Sequence, residues 1–364
     1  MRSPGARGRL VALLLAALIA PGCSPQADGS GTKAGDPATV TLRMADAYAN
    51  LDQEPAVAAF VDEVERRSHG LLRIEVTHVV GDFQPDFEEQ VVHAVASGEF
   101  DLAWVGTRAF DAMGVRSFAA LTAPLLVDSY ALQEEVLRSE LPDQMLAGLD
   151  GLGVQGLALL AGGLRRPMAV AGPLLSPEDW RGITFAAVRS EGQAATVRAL
   201  GATPTDVIAG DLDRALHRGE VDGFEKNLLI YSINGLADVA PHVTADVALW
   251  PETAVLLADP HRLDRLSTEQ AQWLRDAAED AAGRSAQLVD VDQSLIDHLC
   301  ARGARFATAS PSDLAALQAA VAPVYAQLAG DPATTSAIAR IRELKQAVPE
   351  AAALQIPPGC TDPV

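Results

Sequence analysis

Strand-length apolar runs alternate with segments of helical period along two successive stretches of this chain, and that alternation admits few folds. In the first stretch, 40–44 reads as a strand and 55–67 as a helix with Val57, Phe60, Val61 and Val64 on one face. A strand at 71–80, a helix at 87–96 and a strand at 100–105 follow. After a helix at 131–149, strands at 153–160 and 168–170 lead into the second stretch. There Ser176-Pro-Glu-Asp179 starts a helix, with Ser at the cap and Pro at the first position. A strand at 183–187, helices at 192–200 and 212–218, and a strand at 221–224 complete it. Each stretch is an α/β unit whose sheet is largely parallel, because strands separated by helices return by crossover. Residues 39–364 are too many for one ordinary core, so two lobes are expected.

Later, Ser267-Thr-Glu-Gln270 is a capping box that opens a helical pattern running to Arg302. A helix of that length reaches about 50 Å, enough to brace both lobes, with Gly283 as the point where it can kink.

The N-terminus reads as an export signal over residues 1–22: Arg2, Arg7 and Arg9 precede an apolar run at 10–20. It ends at Ala20-Pro-Gly-Cys23, the pattern of a cysteine that becomes a lipidated N-terminus. Residues 23–37 then form a flexible tether rich in Gly, Ser, Asp and Pro. The expected location is extracytoplasmic, lipid-anchored at Cys23 to the cell membrane. With 48 acidic against 28 basic residues and a formal charge of −20, neither nucleic acid nor an anionic lipid surface is an expected partner. Cys300 and Cys360 form an even pair, which in an oxidising exterior favours a disulfide over two free thiols.

Most chemistry-bearing patterns have a plainer reading. Gly151-Leu-Gly-Val-Gln-Gly156 matches the dinucleotide pattern, but a helix precedes it and a strand follows, the reverse of what pyrophosphate binding needs. It is a helix-to-strand turn. The seven histidines are scattered without metal-ligand spacing, and no nucleophile elbow is present, so no metal, cofactor or catalytic residue is expected.

Five motifs in order carry more: Gly98-Glu-Phe-Asp-Leu-Ala-Trp104, Leu121-Thr-Ala-Pro-Leu-Leu126, Asp179-Trp-Arg-Gly182, Ala199-Leu-Gly-Ala-Thr-Pro204 and Gly219-Glu-Val-Asp-Gly-Phe-Glu225. Together, from about Thr39 to Tyr325, the chain resembles the solute-binding proteins of tripartite ATP-independent periplasmic (TRAP) transporters, the DctP-like family. The resemblance implies a two-lobed periplasmic-binding-protein-like α/β fold with hinge segments near Gly162 and Trp250 and a long helix bracing both lobes. Lobe I is then 38–162 with about 247–284, and lobe II is 163–246 with about 285–330, followed by a C-terminal tail at 331–364. It also implies that the protein is no enzyme: it captures a small molecule, such as an organic anion, in the cleft and delivers it to TRAP-type permease subunits. An orphan solute sensor or a scaffold lipoprotein of the same fold is the alternative, and an extracytoplasmic hydrolase or lyase is the rival from another class.

For the site, the resemblance points to Asp46 and Tyr48 after the first strand, and to Arg165 or Arg166, where the family offers an Arg to the ligand. Arg suits carboxylates because its fork donates two parallel hydrogen bonds. Where the family reads Asp-Leu-Lys-Gly-Leu-Lys-Ile-Arg and its final Arg clamps the carboxylate, this chain has Ala186. Arg189 or Lys226 is expected to restore the missing charge, with Glu225 and Asn227 beside Lys226. Trp104 and Trp250 are candidate aromatic walls or core residues.

Overall fold

The computed structural model describes residues 39–187, 190–207 and 209–362. The export signal, Cys23 and the tether lie outside the described residues, as does Arg189. Ten strands occur among those described: β1 (Val40–Ala45), β2 (Leu72–Thr77), β3 (Leu102–Gly106), β4 (Gln155–Ala169), β5 (Thr184–Ala186), β6 (Thr203–Thr205), β7 (Gly223–Lys226), β8 (His242–Thr244), β9 (Trp250–Ala258) and β10 (Arg305–Ala307). Their main order is β2-β1-β3-β9-β4-β7-β5-β6, with β8 pairing β4 and β10. Pairing is parallel for β2-β1-β3 and for β7-β5-β6, as strand–helix alternation requires. Between these two parallel sets lie β9 and β4, antiparallel to each other and to their outer neighbours β3 and β7. The α/β expectation holds, and one antiparallel pair of strands joins its halves.

The helices Pro55–Arg67 and Phe87–Ala96 fall where the apolar spacing puts them. Phe60 and Val64 bury the first against β1, β9 and the helix Thr268–Val289. In the second half, Glu191–Leu200 begins on the Ser190 hydroxyl, which accepts from the Gln193 amide, and ends at Gly201 with φ 111°. That left-handed turn is open to glycine at little cost.

Four expectations fail for local reasons. The strands expected at 153–160 and 168–170 are one strand, β4, because the intervening residues find partners on two strands, Leu164 and Arg165 on β9 and Arg166 and Pro167 on β7. Poor β propensity yields there to a partner that supplies the ladder. Two irregular steps remain against β9, a register shift between Gly156 and Ala158 and another between Ala161 and Leu164, at Gly162-Gly163. A methyl group at Gly163 would come 2.5 Å from the Asn227 Cβ. The helix expected over 131–149 divides into Tyr130–Arg138 and Leu141–Leu146, with Pro142 opening the second piece, since proline cannot donate to a continuing helix.

The long helix also divides, but not at Gly283: it runs Thr268–Val289, opened by the Ser267–Gln270 box, and resumes as Asp292–Ala301. The break puts Asp292 at the start of a helix and in a buried ion pair with Arg166, 2.7 Å away. Finally, the tail contains a helix, Pro332–Ala347, whose Ile338 and Ile341 are buried in the core of the first half. Cys300 and Cys360 are disulfide-bonded, tying the segment Pro358–Cys360 to the end of the helix Asp292–Ala301.

Candidate functional site

A cleft with about 660 Å³ of space, its open mouth included, is lined from both halves of the sheet. On the first side the chain leaves β1 through Asp46, whose carboxylate accepts from the Tyr48 amide at 3.0 Å and meets His78 Nδ1 at 2.7 Å. Burial pushes the Asp46 carboxyl up, and the His78 contact works against that. This turn aims the Tyr48 ring into the cleft, stacked on Trp104 at 5.3 Å and edge-on to Phe87 at 5.4 Å. The Tyr48 hydroxyl donates to Glu88 Oε1 at 3.1 Å and accepts from Arg108 Nη2 at 3.0 Å. Arg108 also pairs with Glu88. Burial opposes the charge on Arg108, and Glu88 outweighs it, so the guanidinium stays protonated. The result is a rigid aromatic wall with a fixed, neutralised cation behind it.

The second side is built where β4, β7 and β9 meet. Arg165 of β4 donates through Nε and Nη2 to both carboxylate oxygens of Glu225 on β7, with Nη2 3.0 Å from Oε1. Its Nη1 donates to Glu252 Oε2 of β9 at 2.8 Å. Asn227 Nδ2 donates to the same Glu252 oxygen at 2.9 Å, while its Oδ1 accepts from the Ile230 amide and caps the helix Leu228–Ile233. Burial works against the charge on Glu252, but Arg165 and then Lys226 hold its carboxyl below the ordinary value. Lys226, the last residue of β7, lines the cleft, and its ammonium has no hydrogen bond or ion pair among the described residues. Burial and the neighbouring Arg165 bring its ammonium down to about 8.

Of the residues expected from sequence, Tyr48, Trp104, Arg165 and Lys226 line the cleft together. Asp46, Glu225 and Asn227 stand behind it and hold its members in place. Arg166 does not face it: the side chain is buried against Asp292 and donates to the Ala245 carbonyl at 2.9 Å. Trp250 is 1 % exposed and packs with Leu249, Ala169 and Phe185, the core alternative of its expectation. Ala186 packs beside Met168 and Phe224 and brings no charge.

Sequence reasoning missed Glu54, Arg108 and Glu252, all of which line the cleft. Arg108 carried a usable signal: it lies just past the C-terminal end of β3, where open α/β sheets present ligand-binding groups. Glu54 had none, because a Glu before a helix reads as a solvated charge.

Comparison with known proteins agrees with this architecture. Residues 47–331 match the family described as bacterial extracellular solute-binding protein, family 7 (DctP). A solute-binding protein of Verminephrobacter eiseniae is 26 % identical over 279 residues, covering 76 % of this chain and 81 % of the relative. The ectoine-binding periplasmic protein TeaA of Halomonas elongata is 33 % identical over 109 residues, 30 % of this chain and 32 % of that protein. Among solved structures, a TRAP periplasmic solute-binding protein from a Bradyrhizobium species, in complex with D-galacturonate, superposes with a TM-score of 0.73. It is 25 % identical, and the match covers 84 % of this chain and all of that one. Among the described residues no helix is long and apolar enough to cross a membrane. With a profile match across most of its length and a two-lobed fold shared with solved relatives, the chain belongs to the bacterial extracellular solute-binding proteins of family 7, the DctP family.

Proposed function

We propose that this protein captures a small carboxylate-bearing solute between its two halves and hands it, chemically unchanged, to a TRAP-type membrane permease. The observation that carries this reading is the cleft itself, where a stacked Tyr48–Trp104 wall faces a buried, unpaired Lys226. An aromatic wall excludes water and takes up the flat or apolar part of a solute, and the ammonium attracts its anionic part. The halves close about the irregular step at Gly162-Gly163 and about Trp250, because a solute touching both sides stabilises only the closed state. Lipidation at Cys23, with residues 23–37 as tether, keeps the protein beside its permease.

A thermal-shift screen against organic acids, sugar acids and neutral osmolytes tests the reading. A true ligand at 100 times its dissociation constant adds about 2.7 kcal/mol of stability, a visible rise in melting temperature. Failure of every solute to stabilise the folded protein would favour a scaffold with a degenerate cleft, to which Ala186 already lends support.

Lys226 also sets a pH dependence for a carboxylate ligand. Its ammonium loses its charge in the empty cleft as pH rises through about 8, and a bound carboxylate raises that threshold. Affinity should therefore be flat below pH 8 and fall by up to about tenfold per pH unit above it, as calorimetric titration would show. A flat profile to pH 9.5 or so would remove Lys226 from the anion site.

A further inference from the structure

Two buried ionisable side chains in the cleft have no hydrogen-bond or ion-pair partner among the described residues, and they are of opposite sign. Glu54 precedes the helix Pro55–Arg67 and is 5 % exposed, yet its side chain takes no part in capping. Its main-chain carbonyl, not its carboxyl, accepts from the Val57 and Ala58 amides. Lys226 is 8 % exposed. Neither side chain makes a hydrogen bond or ion pair among the described residues, and both line the same space. Burial acts most strongly on both; of the charges around them, Glu54 feels Glu252 and Arg165 most, and Lys226 feels Arg165 and Glu225.

The remaining cations that line the cleft are already taken up. Arg165 is shared between Glu225 and Glu252, and Arg108 is paired with Glu88. A purely anionic solute would satisfy Lys226 but place a second negative group in a cleft where Glu54 has no partner. Leaving a buried polar group unpaired is costly, and so is bringing like charges together. A solute with a cationic nitrogen removes both costs and adds an attraction to the faces of the Tyr48–Trp104–Phe87 wall.

We propose that the solute is a small zwitterion, with its carboxylate at Lys226 and an ammonium or amidinium nitrogen at Glu54 against the aromatic wall. This rests on the binding reading above and narrows its solute class. Burial, with Glu252 nearby, pushes the Glu54 carboxyl well above the ordinary range. A cation held there favours the charged carboxylate and opposes that shift.

The test is a thermal-shift and calorimetric comparison of matched carboxylic acids: proline beside tetrahydrofuran-2-carboxylate, 4-aminobutyrate beside 4-hydroxybutyrate, and ectoine beside D-galacturonate. The expected result is binding by cation-bearing members, weakened at least about tenfold by Glu54→Gln and by Lys226→Met in proteins that still unfold cooperatively. Binding of the acids without a cation, at the same strength in Glu54→Gln as in the wild type, would overturn the zwitterion while leaving the solute-binding reading intact. Binding by neither class in a folded protein would overturn both.

Discussion

Replacing Arg165 with Met should lower the unfolding free energy by about 3–5 kcal/mol, the cost of stripping a buried charge of its partner. Here one substitution orphans two carboxylates, Glu225 at 2 % exposure and Glu252, which then keeps only the Asn227 amide. Denaturant titration reads the loss as a lower midpoint with little change in slope. The double variant Arg165→Met with Glu225→Gln should regain part of it, because the neutral amide no longer needs a cation. A single variant with the wild-type midpoint would mean that water or a moved side chain already compensates these carboxylates. Solute affinity should fall together with stability, since Glu252 and Lys226 lie in the field of the same guanidinium.

Cys360→Ser should cost about 4 kcal/mol, the chain-entropy value for a crosslink spanning 60 residues. The bond does more than shorten the unfolded chain. It fixes the end of the helix Asp292–Ala301, whose first residue pairs with Arg166, and Cys360 is itself 2 % exposed beneath the Ala304 carbonyl. Reductant should shift the wild-type melting curve to that of the variant and leave the variant unmoved. If reduction changes nothing, the tail is held by its other contacts, the Phe306–Thr361 bridge and the contact of His242 Nδ1 with the Asp362 carboxylate.

What could be read from the residues alone depended on how local the determinant was. The helices Pro55–Arg67 and Phe87–Ala96 declare themselves through apolar spacing, Pro55 adding a start signal. β4 does not, because Gly162, Gly163 and Pro167 are poor strand residues, and only pairing of their neighbours with the distant β9 and of Pro167 with β7 carries the strand through them. The helix Pro332–Ala347 was passed over as tail, although Ile338 and Ile341 carry it into the core. At the site, Arg165 stands in the cleft as expected but is not free. Its partners lie 60 and 87 residues away, and no spacing rule connects them. Arg166 next to it points elsewhere, as alternate residues of a strand do.

The two strands that cross from one half to the other are hydrogen-bonded neighbours, and this leaves their joint with no spare length. A hinge made of loops would absorb an added or deleted residue. Here, one residue fewer between Ala161 and Arg165 would turn every following side chain of β4 to the opposite face, taking Arg165 off Glu225 and putting Arg166 in its place. Recognition in this protein is therefore written partly in chain length. Fusions and insertions meant to report on closure belong in exposed turns such as the one at Gly114, and not at the crossing that does the closing.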